Sequence, residues 1–139
     1  MDILERCPLI YTAQSKYWFF ARNFVAAYVL ENGGVPINPF KAFSYFVEDM
    51  ADRDLVRRGN NNVIYRSDEV WQFGSISNGC LAELNLAMER NIPIKLFSIG
   101  NHIDKIKPIA VNDLEFEENA LEIEPAASIQ NRLAEYLEK

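Results

Sequence analysis

The segment Gly74-Ser75-Ile76-Ser77-Asn78-Gly79 leaves a run of β-forming residues and enters a helical one, gathering backbone N–H groups and two hydroxyls at a helix start. A helix N-terminus of this kind suits an anion such as phosphate, because its free N–H groups and the helix dipole both favour negative charge. The same residues also read as plain capping, with Ser77 or Asn78 closing the helix. Glu83 lies one turn further on. The apolar stripe of this helix is Cys80, Leu81, Leu84, Ala87 and Met88; Glu83 falls at its margin, whereas Glu89 points to the far side. A carboxylate at that margin either flanks the core or faces a pocket, where burial raises its pKa and helix N-terminal N–H groups lower it. In a pocket it can act as a nucleophile at a sugar carbon. Periodicity alone leaves both readings open.

Other reactive side chains carry less. Cys80 stands near a helix N-terminus, which can activate a thiol, but it belongs to the apolar stripe and reads as a small core residue. His102 has no second histidine in the chain and reads as a loop residue. The run Tyr17-Trp18-Phe19-Phe20 is too wide for one core face, so part of it lines a base-binding slot, packs on a second subunit, or simply packs. Neither GxGxxG nor GxxxxGK[ST] occurs, which removes the usual dinucleotide and P-loop readings.

These residues need elements to position them. Pro8 to Ala13 reads as a buried first strand, followed by a helix over Lys16 to Asn32 capped by Ser15 and ended by Gly33-Gly34. Val35-Pro36-Ile37 is a second short strand. Phe40 to Asp54 reads as irregular with a short helix, and Leu55 to Ser67 as a helix despite Gly59. Asp68 to Gly74 is the clearest strand, and Gly79 to Arg90 a strong amphipathic helix. Ile94 to Ile99 is another buried strand, Asn101 to Pro108 a loop, Leu114 to Glu117 an edge strand, and Ala126 to Leu137 a closing helix. Alternating strands and helices predict an α/β fold: a three-layer, Rossmann-like sandwich around a mostly parallel sheet of about five strands. In such sheets ligands bind beyond the carboxyl ends of the strands, which selects Tyr11 to Lys16, Asn38 to Phe43 and Gly74 to Glu83.

Composition bounds the partners. The 139 residues are 49% hydrophobic and 24% charged, ordinary for one globular domain spanning 1–139 without linker or repeat. A net charge of −6 argues against a nucleic-acid polymer as partner, though it leaves a small anion possible. Two cysteines and one histidine make neither a disulfide framework nor a conventional zinc site, so no metal is expected. The acidic N-terminus and the lack of a long apolar run predict no signal peptide, no membrane span and a cytoplasmic location.

The segment DEVWQFGSISNGCLAE, from Asp68 to Glu83, follows Ile10-Tyr11-Thr12-Ala13 in the order seen in the nucleoside 2-deoxyribosyltransferase-like superfamily. That group includes 5'-monophosphate N-glycosidases and small uncharacterised relatives with a central DEVWVFG-x-IS-x-GM-x-x-E signature, which this chain resembles most. The resemblance runs from about Leu9 to Phe97. It implies that Glu83 is the catalytic glutamate attacking the anomeric carbon, and that Tyr11 orients it. It also implies that Ser77 occupies a position that is acidic in the transferases and a phosphate-contacting serine in the monophosphate hydrolases. Ser75, Asn78 and Gly79 then complete a substrate cradle. One departure stands out: the family carries an aspartate eight residues before Asp68, where this chain has Asn60. Asparagine can bond a sugar hydroxyl but cannot donate a proton as a carboxylic acid does. Asp52 and Asp54 lie nearby in sequence, and Asp68 itself reads as structural.

The expected activity is therefore N-glycosidic cleavage or (deoxy)ribosyl transfer on a nucleoside or nucleoside 5'-monophosphate, through a glutamate nucleophile. The alternative is a nucleotide-binding or sensing module that kept the pocket and lost the acid; a third is a partner protein docking through its aromatic surface. No cofactor is expected, since the displacement needs only carboxylate chemistry. The resemblance and the aromatics at Tyr17, Trp18 and Phe19 point to a homodimer or larger homo-oligomer.

Overall fold

A computed structural model describes residues 1–42 and 50–139. Strands β1 (Leu9–Gln14), β2 (Val35–Ile37), β3 (Glu69–Phe73) and β4 (Ile94–Phe97) form one parallel sheet in the order β2-β1-β3-β4. Helix α1 (Arg22–Glu31) connects β1 to β2, and α3 (Arg53–Arg66) precedes β3. Helix α4 (Asn78–Glu89) connects β3 to β4, and α6 (Ala126–Leu137) ends the chain. Two one-turn helices, α2 (Pro39–Ala42) and α5 (Glu118–Leu121), complete the α-helices of the described residues.

Strand alternation sorts the core into two layers. Ile10, Trp71, Phe73 and Phe97 point to one face and meet Val25 and Val29 of α1. Tyr11, Ala13, Val70, Ile94 and Leu96 point to the other and meet Ile64, Leu84, Ile129 and Leu133 of α3, α4 and α6. The result is the three-layer, Rossmann-like α/β sandwich predicted from the alternation of elements. β2 stays short and at the sheet's edge, as its central Pro36 has no N–H to give.

Two expectations need correction. The helix expected over Lys16 to Asn32 is a 3-10 helix (Lys16–Ala21) followed by α1. Side chains take the carbonyls that a continuous α-helix would use: Gln14 Nε2 donates to the Trp18 carbonyl at 2.9 Å, and the Arg22 guanidinium to the Phe19 carbonyl at 3.0 Å. Trp18 has non-helical backbone angles (φ −100°, ψ 17°). The edge strand expected over Leu114 to Glu117 does not join the sheet, which has four strands rather than about five. Residues 107–109 occupy the outer edge of β4, with the Ser98 N–H bonded to the Lys107 carbonyl and the Ile109 N–H to the Leu96 carbonyl. The 114–117 segment instead pairs with the loop after β3, Ile76 N–H to Glu115 carbonyl and Glu117 N–H to Ile76 carbonyl, both at 2.9 Å. Of the segment expected to be irregular with a short helix, Phe40 to Asp54, residues 43–49 lie outside the described residues, and with them Phe43 at the end of the Asn38 to Phe43 loop.

Candidate active site

The strand order reverses between β1 and β3, and open parallel sheets bind ligands at that point, beyond the strands' carboxyl ends. A cleft of about 600 Å³ opens there, a volume suited to a small organic ligand. Its walls come from Gln14 to Tyr17 after β1, Pro39 and Phe40 after β2, one face of α3, the first turns of α4, and Glu117 with Asn119. A second cavity of about 560 Å³ lies against β4 around Tyr28, Trp71 and Phe97, and is lined mainly by apolar groups.

The loop from β3 into α4 is built by Gly74 and Gln72. Gly74 adopts φ +80°, and a Cβ there would lie 2.3 Å from Ile99, so both conformation and space demand glycine. The buried Gln72 amide donates to the carbonyls of Gly74 and Ser75 at 3.3 Å, which pins the turn from beneath. Ser77 then caps α4, accepting from Cys80 N–H at 3.2 Å.

Glu83 lines the cleft where its wall meets the core, directly over the fully buried Tyr11. Three side chains converge: Tyr11 Oη on Glu83 Oε2, Tyr11 Oη on Asn60 Oδ1 at 2.9 Å, and Asn60 Nδ2 donating to Glu83 Oε2 at 3.0 Å. Three contacts require three protons. The hydroxyl supplies one and the amide another, whichever way round the amide is turned. The third exists only when Glu83 is protonated. Burial favours the neutral acid and pushes Glu83 up to about 7, while the bonds that Tyr11 and Asn60 donate to the carboxylate pull it back in part. Burial, and then the Glu83 charge, hold the Tyr11 hydroxyl well above its usual range, so it stays a donor.

The other sequence-derived candidates divide. Asn60, Ser77, Asn78 and Gly79 line the cleft with Glu83. Ser75 does not line it: its Oγ accepts from Trp18 Nε1 at 3.3 Å and donates to Glu117 Oε2 at 2.6 Å. Cys80 is buried, and desolvation raises its thiol to about 12, with the Glu83 charge adding, so it is a core residue and no nucleophile. His102 is an exposed cap, its Nδ1 accepting from Asp104 N–H at 3.2 Å. Asp68 ties strands together, accepting from Leu9 N–H at 2.7 Å. Asp52 caps α3, and Asp54 pairs loosely with Arg57 at 3.6 Å; neither lines the cleft. Among the described residues no cluster of His, Cys, Asp or Glu is placed to hold a metal, and no helix is long and apolar enough to cross a membrane.

Several lining residues escaped the reading of the sequence. Glu117 and Asn119 come from the segment expected to be an edge strand, and only its folding over the α4 entrance brings them in. Arg53, Arg57, Asn60 and Asn61 recur at i, i+4, i+7 and i+8, one stripe of α3 facing the cleft. That spacing was present in the sequence and points to a polar ligand face.

The fold is shared with a solved 2-deoxyribosyltransferase from the psychrotolerant bacterium Bacillus psychrosaccharolyticus, at 16% identity and a TM-score of 0.56 over 87% of this chain and 95% of that one. At this identity the likeness is one of fold. No curated protein matches the chain. The segment from Thr12 in β1 to Phe97 at the end of β4, which carries β2, β3, β4, the second half of β1 and the Asn60–Glu83 contact, places the chain in a family: residues 12–97 match, and the chain belongs to, the family described as Domain of unknown function (DUF7768).

Proposed function

We propose that the chain, as a single domain over residues 1–139, cleaves or transfers the N-glycosidic bond of a nucleoside or nucleoside 5'-monophosphate, with Glu83 as nucleophile. The observation that carries this reading is the meeting of Glu83, Tyr11 and Asn60 beside a ligand-sized cleft at the β1/β3 switch. An ionised Glu83 oxygen attacks the anomeric carbon, forming a C–O bond as the C–N bond breaks, and the base leaves with the electron pair and takes up a proton from solvent water. Water or a second base then attacks the same carbon and releases the carboxylate. Tyr11 aims the carboxylate, Asn60 bonds a sugar hydroxyl, and Ser77, Asn78 and Gly79 shape the wall with Ser75 behind them. Fold likeness to a 2-deoxyribosyltransferase supports the reading.

A second reading has its own observation. Asn60 stands where the resembled superfamily has an acid, and burial pushes Glu83 up to about 7, toward its protonated, non-nucleophilic form, against the partial offset of the Tyr11 and Asn60 bonds. A binding or sensing module with the same pocket follows if turnover is absent. Incubating the protein with a panel of nucleosides and 5'-monophosphates, with chromatography for free base, separates the two. Base release that disappears in Glu83→Ala establishes the glycosidase. Thermal stabilisation by a panel member with no release establishes the binding module. A homodimer or larger homo-oligomer completes the proposal, and sedimentation velocity reads its size directly.

A further inference from the structure

The sequence directs attention to the first turn of α4 as the place for a phosphate. There, however, every leading N–H already has an acceptor. The Asn78 N–H bonds Asn119 Oδ1 at 3.0 Å, Gly79 N–H bonds Asn78 Oδ1 at 2.8 Å, Cys80 N–H bonds Ser77 Oγ at 3.2 Å, and Leu81 N–H bonds the Ser77 carbonyl at 2.9 Å. The Glu117 carboxylate also lines the cleft on this side, held by Ser75, and it repels an incoming anion. A phosphate placed here must break capping bonds and approach a like charge.

The face of α3 offers the reverse. Arg53 and Arg57 are one helical turn apart and line the same cleft, on the stripe that continues to Asn60. Arg53 makes no ion pair with any described residue, and Arg57 reaches only Asp54, at 3.6 Å between two well-exposed side chains (73% and 87%). Such a pair holds its partners weakly and leaves the guanidinium available. Lys16, just past β1, is a third cation on the cleft wall. In a chain of net charge −6, Arg53 and Arg57 side by side on one cleft wall are a local reversal of the average field.

We propose that Arg53 and Arg57 form the phosphate-recognising edge of the cleft, selecting a phosphate ester on the ligand, and that the first turn of α4 does not. The rise of 1.5 Å per residue puts Arg57 roughly 4–5 Å and Arg53 roughly 10 Å along the helix axis from Asn60. The ester therefore lies to the α3 side of the carbon facing Glu83. Arginine suits this role because its planar fork makes two charge-assisted bonds to one phosphate. The inference rests on the nucleotide reading of the cleft, but it is read by binding rather than by turnover.

The test is calorimetric titration of four deoxynucleosides, their 5'-monophosphates and inorganic phosphate into the wild type and an Arg53→Gln/Arg57→Gln variant. The wild type is expected to prefer the monophosphate of its favoured base by roughly tenfold to a hundredfold, with the preference shrinking as salt rises. The double variant loses that preference while binding the parent nucleoside as before; Arg57→Lys keeps part of it. Both sites are on an exposed helix face, and an unchanged Tm checks that the fold is retained. Equal binding of nucleoside and monophosphate by the wild type overturns the proposal, as does an undiminished preference in the double variant. Arginine-dependent preference without base release keeps this edge and refutes the glycosidase reading instead.

Discussion

Glu83 is the residue on which chemistry and stability oppose each other. Below about pH 4.5 its carboxyl is protonated in both the folded and the unfolded chain. Between about 4.5 and 7 only the folded chain keeps the proton, so each rise in pH favours unfolding, and above about 7 the loss is complete. At about 1.4 kcal/mol per pH unit, a window of about 2.5 units makes that loss on the order of 3–4 kcal/mol. Glu83→Gln removes the titration. Its Tm relative to wild type should therefore rise between pH 5 and pH 8, and a constant difference across that range would refute the strained carboxylate. Base release, which needs the ionised form, should increase through about pH 7 for the same reason. Asn60→Asp places a second carboxyl about 3 Å from Glu83, where one of the two must hold a proton and can donate it to the leaving base. Base release is expected to rise by about a hundredfold, at some cost in Tm at pH 8. Unchanged release in that variant means that proton donation does not limit turnover.

At the scale of elements, the β3–loop–α4 unit positions the site, and Gly74 is its hinge point. Gly74→Ala forces a Cβ into the left-handed region and against Ile99, and should cost about 2–4 kcal/mol, measurable by denaturant unfolding. A cost under 1 kcal/mol would show that the loop can shift without loss. The strands were readable as short apolar runs because both faces of the sheet are covered, and α4 and α6 because their apolar residues recur on one buried face. The split of the first helix was not readable, because the competitors for its carbonyls are the side chains of Gln14 and Arg22, one of them on a strand. The 114–117 alternation suggested an extended segment, and Leu114 is buried, but the alternation said nothing about which backbone the segment would pair with.

Across the whole molecule, both faces of one sheet share the core, so no subset of helices can be withdrawn without exposing β1 and β3. Heating should give a single cooperative transition by calorimetry, with equal van't Hoff and calorimetric enthalpies; two transitions would contradict a single domain over 1–139. Local order of residue types was enough to identify the parallel α/β fold, the strand-to-helix loop at Gly74 and the margin position of Glu83, since periodicity and turn chemistry act over a few residues. The distances that give the site its properties span far more chain: Tyr11 to Glu83 is 72 residues apart, Asn60 to Glu83 23, and Ser75 to Glu117 42. Sequence order carries no information about a proton shared among three such side chains, or about which N–H groups a distant asparagine will fill. Those follow only when the sheet order β2-β1-β3-β4 brings the carboxyl ends of β1 and β3 together and lets α3 and the 114–119 segment close over them.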